Sequence, residues 1–240
     1  MGVIAGANTV NDNLIFTIDA GNTRGYPGTG LTYNSLYSGI GATLVNGTGF
    51  STANGGSFFF DGTNDYMIVN HTQTSILQYS VSMWIKFTSA GAFFNNRGLT
   101  GTNGVSYTLR MEGSGALSYV PVDSDGIIAQ VQTSGINFID NNWRHIVTTM
   151  SVPNGTTLTS GNFTSYLKCY VNGAEVSLFT SQFMSVPAHP TTGRESLQIG
   201  RSYAWGTYIT GNIANIQVYN SQLSASEVLQ NYNSTKRRFL

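Results

Sequence analysis

Residues 58–69 read FFFDGTNDYMIV, and the acidic stretch inside places Asp61, Asn64 and Asp65 between two apolar runs. Carboxylate and amide oxygens this close together are ligands that a hard cation such as calcium takes. The spacing departs from the D-x-[DN]-x-[DN]-G order of a calcium loop, and Asp61-Gly62 is itself a turn signal. The expectation is a hairpin turn whose Asp side chains accept from backbone N–H groups. PVDSDG sets Asp123 and Asp125 two residues apart with no third carboxylate nearby, and is read the same way. No cofactor is expected. Calcium is carried only as a weak alternative at Asp61, Asp65, Asp123 and Asp125.

Catalysis finds little to work with. Glycoside hydrolysis needs two carboxyls about 5–10 Å apart across the sugar. The four glutamates, Glu112, Glu175, Glu195 and Glu227, are scattered, and none stands in an E-x-D-x-x-E strand pattern. The chain has no G-x-S-x-G, Walker loop, G-x-G-x-x-G or H-E-x-x-H. His71, His145 and His189 have no ligand spacing, and His145 in NNWRHIV falls inside a predicted strand, where a structural role is expected. Cys169, the single cysteine, excludes an internal disulfide and is predicted to be a buried small hydrophobe. No catalytic residue is assigned, and the protein is read as a non-enzyme.

Aromatic side chains offer binding chemistry instead. GRSYAWGTYITG gathers Tyr203, Trp205 and Tyr208 in a glycine-flanked loop. Exposed rings stack on sugar C–H faces, and Asn or Asp neighbours take the hydroxyls. The alternatives are that these rings close a sandwich edge or pack on a neighbouring subunit.

The elements that must position these residues alternate with period two. LIFTID puts Leu14, Phe16 and Ile18 on one face. VSMWIKF sets Val81, Met83, Ile85 and Phe87 against Ser82, Trp84 and Lys86. IANIQVYN sets Ala214, Ile216 and Val218 against Asn215, Gln217 and Tyr219. Such alternation predicts antiparallel strands with one covered face. In YLKCYVNGAEVSLF, Asn172-Gly173 is the strongest two-residue turn signal. It predicts a hairpin pairing Val171 with Ala174, Cys169 with Val176 and Leu167 with Leu178 on one face. Tyr170 with Glu175 and Lys168 with Ser177 take the other.

Helix signal is confined to the end of the chain. Ser224 and Glu227 have capping-box spacing, and Val228, Leu229 and Tyr232 give a short apolar stripe. Lys236, Arg237 and Arg238 follow, read as a helix-end cluster or solvated tail, or alternatively as a contact for an acidic partner. The fold class is all-β: a two-sheet antiparallel β-sandwich or jelly roll with one short C-terminal helix. The strands at 13–19 and 211–220 are predicted neighbours.

The totals narrow the partners. Only 9% of the 240 residues are charged and the formal net charge is zero, so there is no basic excess for nucleic acid. No stretch approaches the roughly twenty apolar residues that span a bilayer, so no membrane partner is expected. MGVIAGANTV does not read as a signal peptide. A neutral surface rich in Asn, Ser, Thr and Gly suits packing into a larger assembly or homo-oligomer. One domain is read over 1–240.

Several stretches carry a resemblance. GGSFFFDGTNDYMIV, YSVSMWIKF, NNWRHIVTTM, YLKCYVNGAEV, SLQIGR and GNIANIQVYNSQLSASEVLQNYN resemble, in this order, the concanavalin A-like, laminin G-like domains. The match covers about 57–233, with 1–56 a leader integrated in the sandwich and 234–240 a basic tail. The leader LIFTIDAGNTRGYPGTGLTYNSLYSG, continued by GATLVNGTGFSTANGG, resembles openings that accompany this domain in structural proteins of tailed phages. The resemblance implies a jelly roll used for carbohydrate or protein binding, sometimes with calcium. It implies a non-enzymatic virion protein, a capsid decoration or tail component made in the bacterial cytoplasm, with other virion proteins as partners. The alternative is a soluble glycan-binding lectin that engages host surface polysaccharide.

Overall fold

The computed structural model describes residues 9–35, 37–71, 77–95, 106–123, 126–127, 129–159, 161–183, 186–187, 196–202 and 206–240. Two antiparallel sheets stack face to face. The smaller runs in the order Ala174–Val176, Leu167–Val171, Arg144–Ser151, Gln78–Phe87, Thr210–Tyr219, Ser57–Asp61 and Gly49–Ser51. The larger runs Leu178–Phe183, Ala129–Thr133, Leu117–Asp123, Ser106–Met111, Gly91–Asn95, Leu197–Ile199, Tyr66–Val69, Gly41–Val45 and Thr32–Asn34. Between them lies one continuous core. Val81, Met83, Ile85 and Phe87 enter it from the smaller sheet, and Leu109, Met111, Leu117, Tyr119, Leu197 and Ile199 from the larger. Each such side chain contributes about 1.5–3 kcal/mol over leaving it in water.

The terminal strands are neighbours, as their alternation leads one to expect. Leu14–Asp19 pairs with Thr210–Tyr219, setting Phe16 against Val218 and Ile18 against Ile216. Two irregularities move residues off the face that strict alternation assigns. The register shifts between Leu14 and Phe16, and Leu14 packs beside the cluster of Tyr219, Leu223 and Val228 instead of joining Phe16 and Ile18. A second shift, between Ile213 and Asn215, makes Ala214 an extra residue. Ile213, Ile216 and Val218 stay in the core while Ala214 joins Trp84 and Phe239 outside it. A bulge sets two residues against one, so alternation loses phase across it.

The predicted hairpin forms, with Asn172 at φ 52° and Gly173 at φ 83°. Val171 faces Ala174, Tyr170 faces Glu175 and Cys169 faces Val176. The ladder then stops. Leu178 pairs with Thr133 in the larger sheet, so the expected Leu167–Leu178 and Lys168–Ser177 pairs do not form. The chain changes layers at Ser177. Leu167 and Leu178 still both pack on the core, from opposite sheets. Alternation specifies which face is buried but not which sheet the strand joins.

The outer face of the smaller sheet is covered by the chain's own C-terminus. The Ala225–Thr235 helix begins with the expected capping box: Ser224 N–H donates to Glu227 Oε2 at 2.8 Å, and Glu227 N–H donates to Ser224 Oγ at 3.3 Å. Val228 is buried and Tyr232 stacks on Trp84, but Leu229 stays 45% exposed. Asn231 is buried in its place, accepting from Val10 N–H at 2.8 Å and donating to the Tyr219 hydroxyl at 3.0 Å. Beyond the helix, Phe239 stacks on Trp84 with ring centroids 4.2 Å apart. Trp84, assigned to the solvent side by alternation, is therefore wholly buried. A one-turn helix at Phe163–Tyr166 also leads into the Leu167–Val171 strand. No described helix is long and apolar enough to cross a membrane.

Candidate functional site

The planar side chains that sequence and structure bring to one place lie where the Leu197–Ile199 strand runs out. Met67 and Ile199 point into the core, so Tyr66 and Gln198 point outward from adjacent strands. Gly200 follows at φ 92°, and any Cβ there would lie 2.5 Å from the Phe60 ring, so the sharp exit requires glycine. Arg201 then lies over the Tyr66 ring, guanidinium carbon 3.5 Å from the centroid. Its Nε donates to Gln198 Oε1 at 3.0 Å. Arg201 is also directly opposite Tyr208 in a two-residue ladder with Ser202 and Thr207. Opposed residues of an antiparallel pair share a face. Tyr66, Arg201 and Tyr208 are all half-buried. Flat rings beside a flat, multiply donating cation suit a ligand with both C–H faces and hydroxyls.

Of the three aromatics assigned from sequence, Tyr208 belongs to this group, whereas Tyr203 and Trp205 lie outside the described residues. Sequence reasoning missed Tyr66, Gln198 and Arg201. The signal was present in part: SLQIGR puts Gln198 and Arg201 three apart with a glycine between them. A second polar group stands on the same sheet, where Glu112 is held by Arg110 at 3.0 Å and by Gln130 at 2.8 Å.

The acidic loop is a turn, but not a hairpin. Ser57–Asp61 lies in the smaller sheet and Tyr66–Val69 in the larger, so residues 61–65 carry the chain between layers. Asp61 Oδ1 accepts from the N–H groups of Thr63 at 2.7 Å and Asn64 at 3.4 Å. The Thr63 bond chiefly holds its carboxyl below the usual range. Asp65 Oδ2 accepts from Asp61 N–H at 3.1 Å, and burial raises its carboxyl. These oxygens are acceptors for the loop's own backbone. In PVDSDG, Asp123 pairs with Gly126 across a chain reversal, and Asp125 lies outside the described residues. Among the described residues no three His, Cys, Asp or Glu stand together as a cation site.

Glu175 pairs with Lys168 at 3.2 Å and Glu227 caps its helix, while Glu195 and His189 lie outside the described residues. His145 is buried against Trp84, with Nε2 2.9 Å from Ser82 Oγ; burial lowers its pKa to about 3. Its Nδ1 has no partner among the described residues, so the ring is only half satisfied. Burial pushes the Cys169 thiol up to about 12, which leaves it protonated and inert. Arg238 is not part of a solvated tail: it pairs with Asp19 at 2.8 Å.

This two-layer architecture belongs to a known class. The Laminin_G_3 model, described as the Concanavalin A-like lectin/glucanases superfamily, matches residues 61–229, and the chain belongs to that family. No curated protein matches the chain in sequence. Among solved structures it is similar to domain 4 of an extracellular arabinanase from Geobacillus stearothermophilus, in complex with arabinotriose. There the TM-score is 0.62 at 19% identity, over 92% of this chain and 98% of that one. It is also similar to the binding domain of Paraclostridial Mosquitocidal Protein 1, with TM-score 0.62 at 16% identity over 93% of this chain and 52% of that one. A Trypanosoma rangeli sialidase gives 0.61 at 14% identity, over 95% of this chain and 34% of that one. At these identities the likeness is one of fold.

Proposed function

We propose that the protein is a non-enzymatic recognition module that binds carbohydrate at the Tyr66–Arg201–Tyr208 surface, with Tyr203 and Trp205 completing the site. The observation that carries this reading is the Arg201 guanidinium carbon 3.5 Å from the Tyr66 ring centroid, on a residue that stands opposite Tyr208 in its ladder. Tyr208 supplies a ring for sugar C–H bonds, and a guanidinium is a fork of N–H donors suited to hydroxyls. The arabinanase domain, matched over nearly its whole length, holds arabinotriose and adds support. The non-enzymatic part rests on Glu112, Glu175 and Glu227, each engaged by a neighbouring side chain. Glycan arrays followed by calorimetry test the proposal. Trp205→Ala and Arg201→Ala should each weaken saccharide binding at least tenfold without loss of fold. Wild-type affinity in both variants excludes this surface, and release of reducing sugar excludes the non-enzymatic reading.

A second reading concerns where the module acts. The leader over 14–39 resembles the openings of tailed-phage structural proteins, which favours a virion component, capsid decoration or tail-associated. Its partners are then other virion subunits, and host polysaccharide is the ligand. Co-purification with particles, and density for this fold in their cryo-electron microscopy maps, is the expected result. A protein absent from purified particles is a free lectin.

A further inference from the structure

A cleft of about 480 Å³ opens within the leader and shares no lining residue with the proposed glycan surface. Two stretches of chain line it, Ala20, Gly21, Thr23, Pro27 and Gly28 from one and Phe50, Thr52, Gly55 and Gly56 from the other, together with Arg238. Its size falls in the range of roughly 300–1,000 Å³ typical of small-ligand sites.

The walls are held firmly. Gly56 has φ 115°, and a Cβ there would lie 2.8 Å from the Ala20 carbonyl, so the walls meet backbone to backbone. Phe50 is half-buried and braced edge-on by Tyr26 at 5.2 Å and Phe58 at 6.3 Å.

The charge in the cleft is fully consumed. A guanidinium has five N–H donors. Arg238 Nε donates to Asn54 O; Nη1 donates to both oxygens of Asp19; Nη2 donates to Gly55 O and Gly56 O, at 2.8–3.3 Å. Asp19 Oδ1 also accepts from Gly21 N–H. An anionic ligand finds no donor left on Arg238, and a cationic one finds a carboxylate already paired. What remains is the Phe50 ring, the Pro27 ring and the exposed hydroxyl-bearing side chains of Thr23 and Thr52.

We infer that this cleft is a second binding site, for an uncharged saccharide residue. Phe50 takes the sugar's C–H face and Thr23 and Thr52 take its hydroxyls. The site favours neutral sugars over uronic acids and amino sugars, because Arg238 and Asp19 already neutralise each other and offer an added charge no partner.

Amide NMR titration of the full chain with maltotriose, cellotriose, xylotriose and a trigalacturonate tests this. At least one neutral trisaccharide should shift the amides of 20–28 and 50–56, and the trigalacturonate should bind at least tenfold more weakly there. Thr23→Trp and Thr52→Trp, both at exposed positions and expected to keep the wild-type melting temperature, should each abolish those shifts. Arg201→Ala should leave them intact, which separates this site from the proposed glycan surface. The inference is overturned if no neutral trisaccharide shifts these amides, if the shifts survive both tryptophan variants, or if the acidic sugar binds equally well.

Discussion

Arg238 and Asp19, 219 residues apart in sequence, meet with Nη1 at 2.8 and 3.1 Å from the two carboxylate oxygens. The pair ties the last residues of the chain to the end of its first strand. It also gathers the carbonyls of Asn54, Gly55 and Gly56. Their side chains are 15% and 9% exposed, so water screens the pair little. Arg238→Met leaves a largely buried carboxylate and three carbonyls without their donor, and should cost about 3 kcal/mol. Urea denaturation reads this directly; a midpoint unchanged from wild type makes the pair ornamental.

Phe239 should matter nearly as much. It lies between Trp84 and Trp143, with centroids at 4.2 and 4.8 Å. Phe239→Ala should destabilise by about 3 kcal/mol and shift tryptophan emission to the red as water reaches Trp84. Unchanged emission would mean that Trp84 is buried by something other than the C-terminus.

The buried histidine predicts an acid limit. Folding lowers the pKa of His145 to about 3, from about 6.5 in the unfolded chain. Above pH 6.5 both states hold the ring neutral and nothing is gained or lost. As pH falls from 6.5 towards 3, only the unfolded chain takes up the proton, and stability drops by at most about 1.4 kcal/mol per pH unit. Burial lowers His71 as well, with the same sign. Urea midpoints between pH 7 and pH 4 should therefore fall, and His145→Gln should flatten the slope. Equal slopes in both proteins would remove His145 as the cause.

Cys169 should not react in the native protein. A buried thiol raised to about 12 carries almost no thiolate at neutral pH. Iodoacetamide should modify it only above the urea midpoint, and rapid native labelling contradicts its placement in the core.

Gly56→Ala isolates the close approach between Ala20-Gly21 and the 50–56 loop. The new Cβ meets the backbone of Ala20, and the residue must also hold φ 115°. A loss of more than about 1 kcal/mol is expected, since neither wall is a flexible side chain that could move aside. A neutral effect in urea denaturation shows that the loop can retreat.

Much of the fold was legible before any coordinates. Alternation marked the core face of 81–87, with Val81, Met83, Ile85 and Phe87 inward, because successive strand side chains must point opposite ways. Asn172-Gly173 announced the hairpin, since both positions accept positive φ. Ser224 and Glu227 announced the helix start. The candidate site was legible only in its loop: Tyr208 was flagged, while Tyr66 and Arg201, 135 positions apart in numbering, were not.

Sequence alone thus settled where the chain turns, where its helix starts and, between bulges, which residues face inward, because these are set by backbone sterics within a few residues. Tertiary structure decided the rest. It sent Leu178 to the other sheet, moved Ala214 across a bulge, buried Trp84 beneath Phe239, paired Arg238 with Asp19 and stacked Arg201 on Tyr66. Each joins segments far apart along the chain, and such contacts exist only once both sheets have closed on a common core, an arrangement that no local preference encodes.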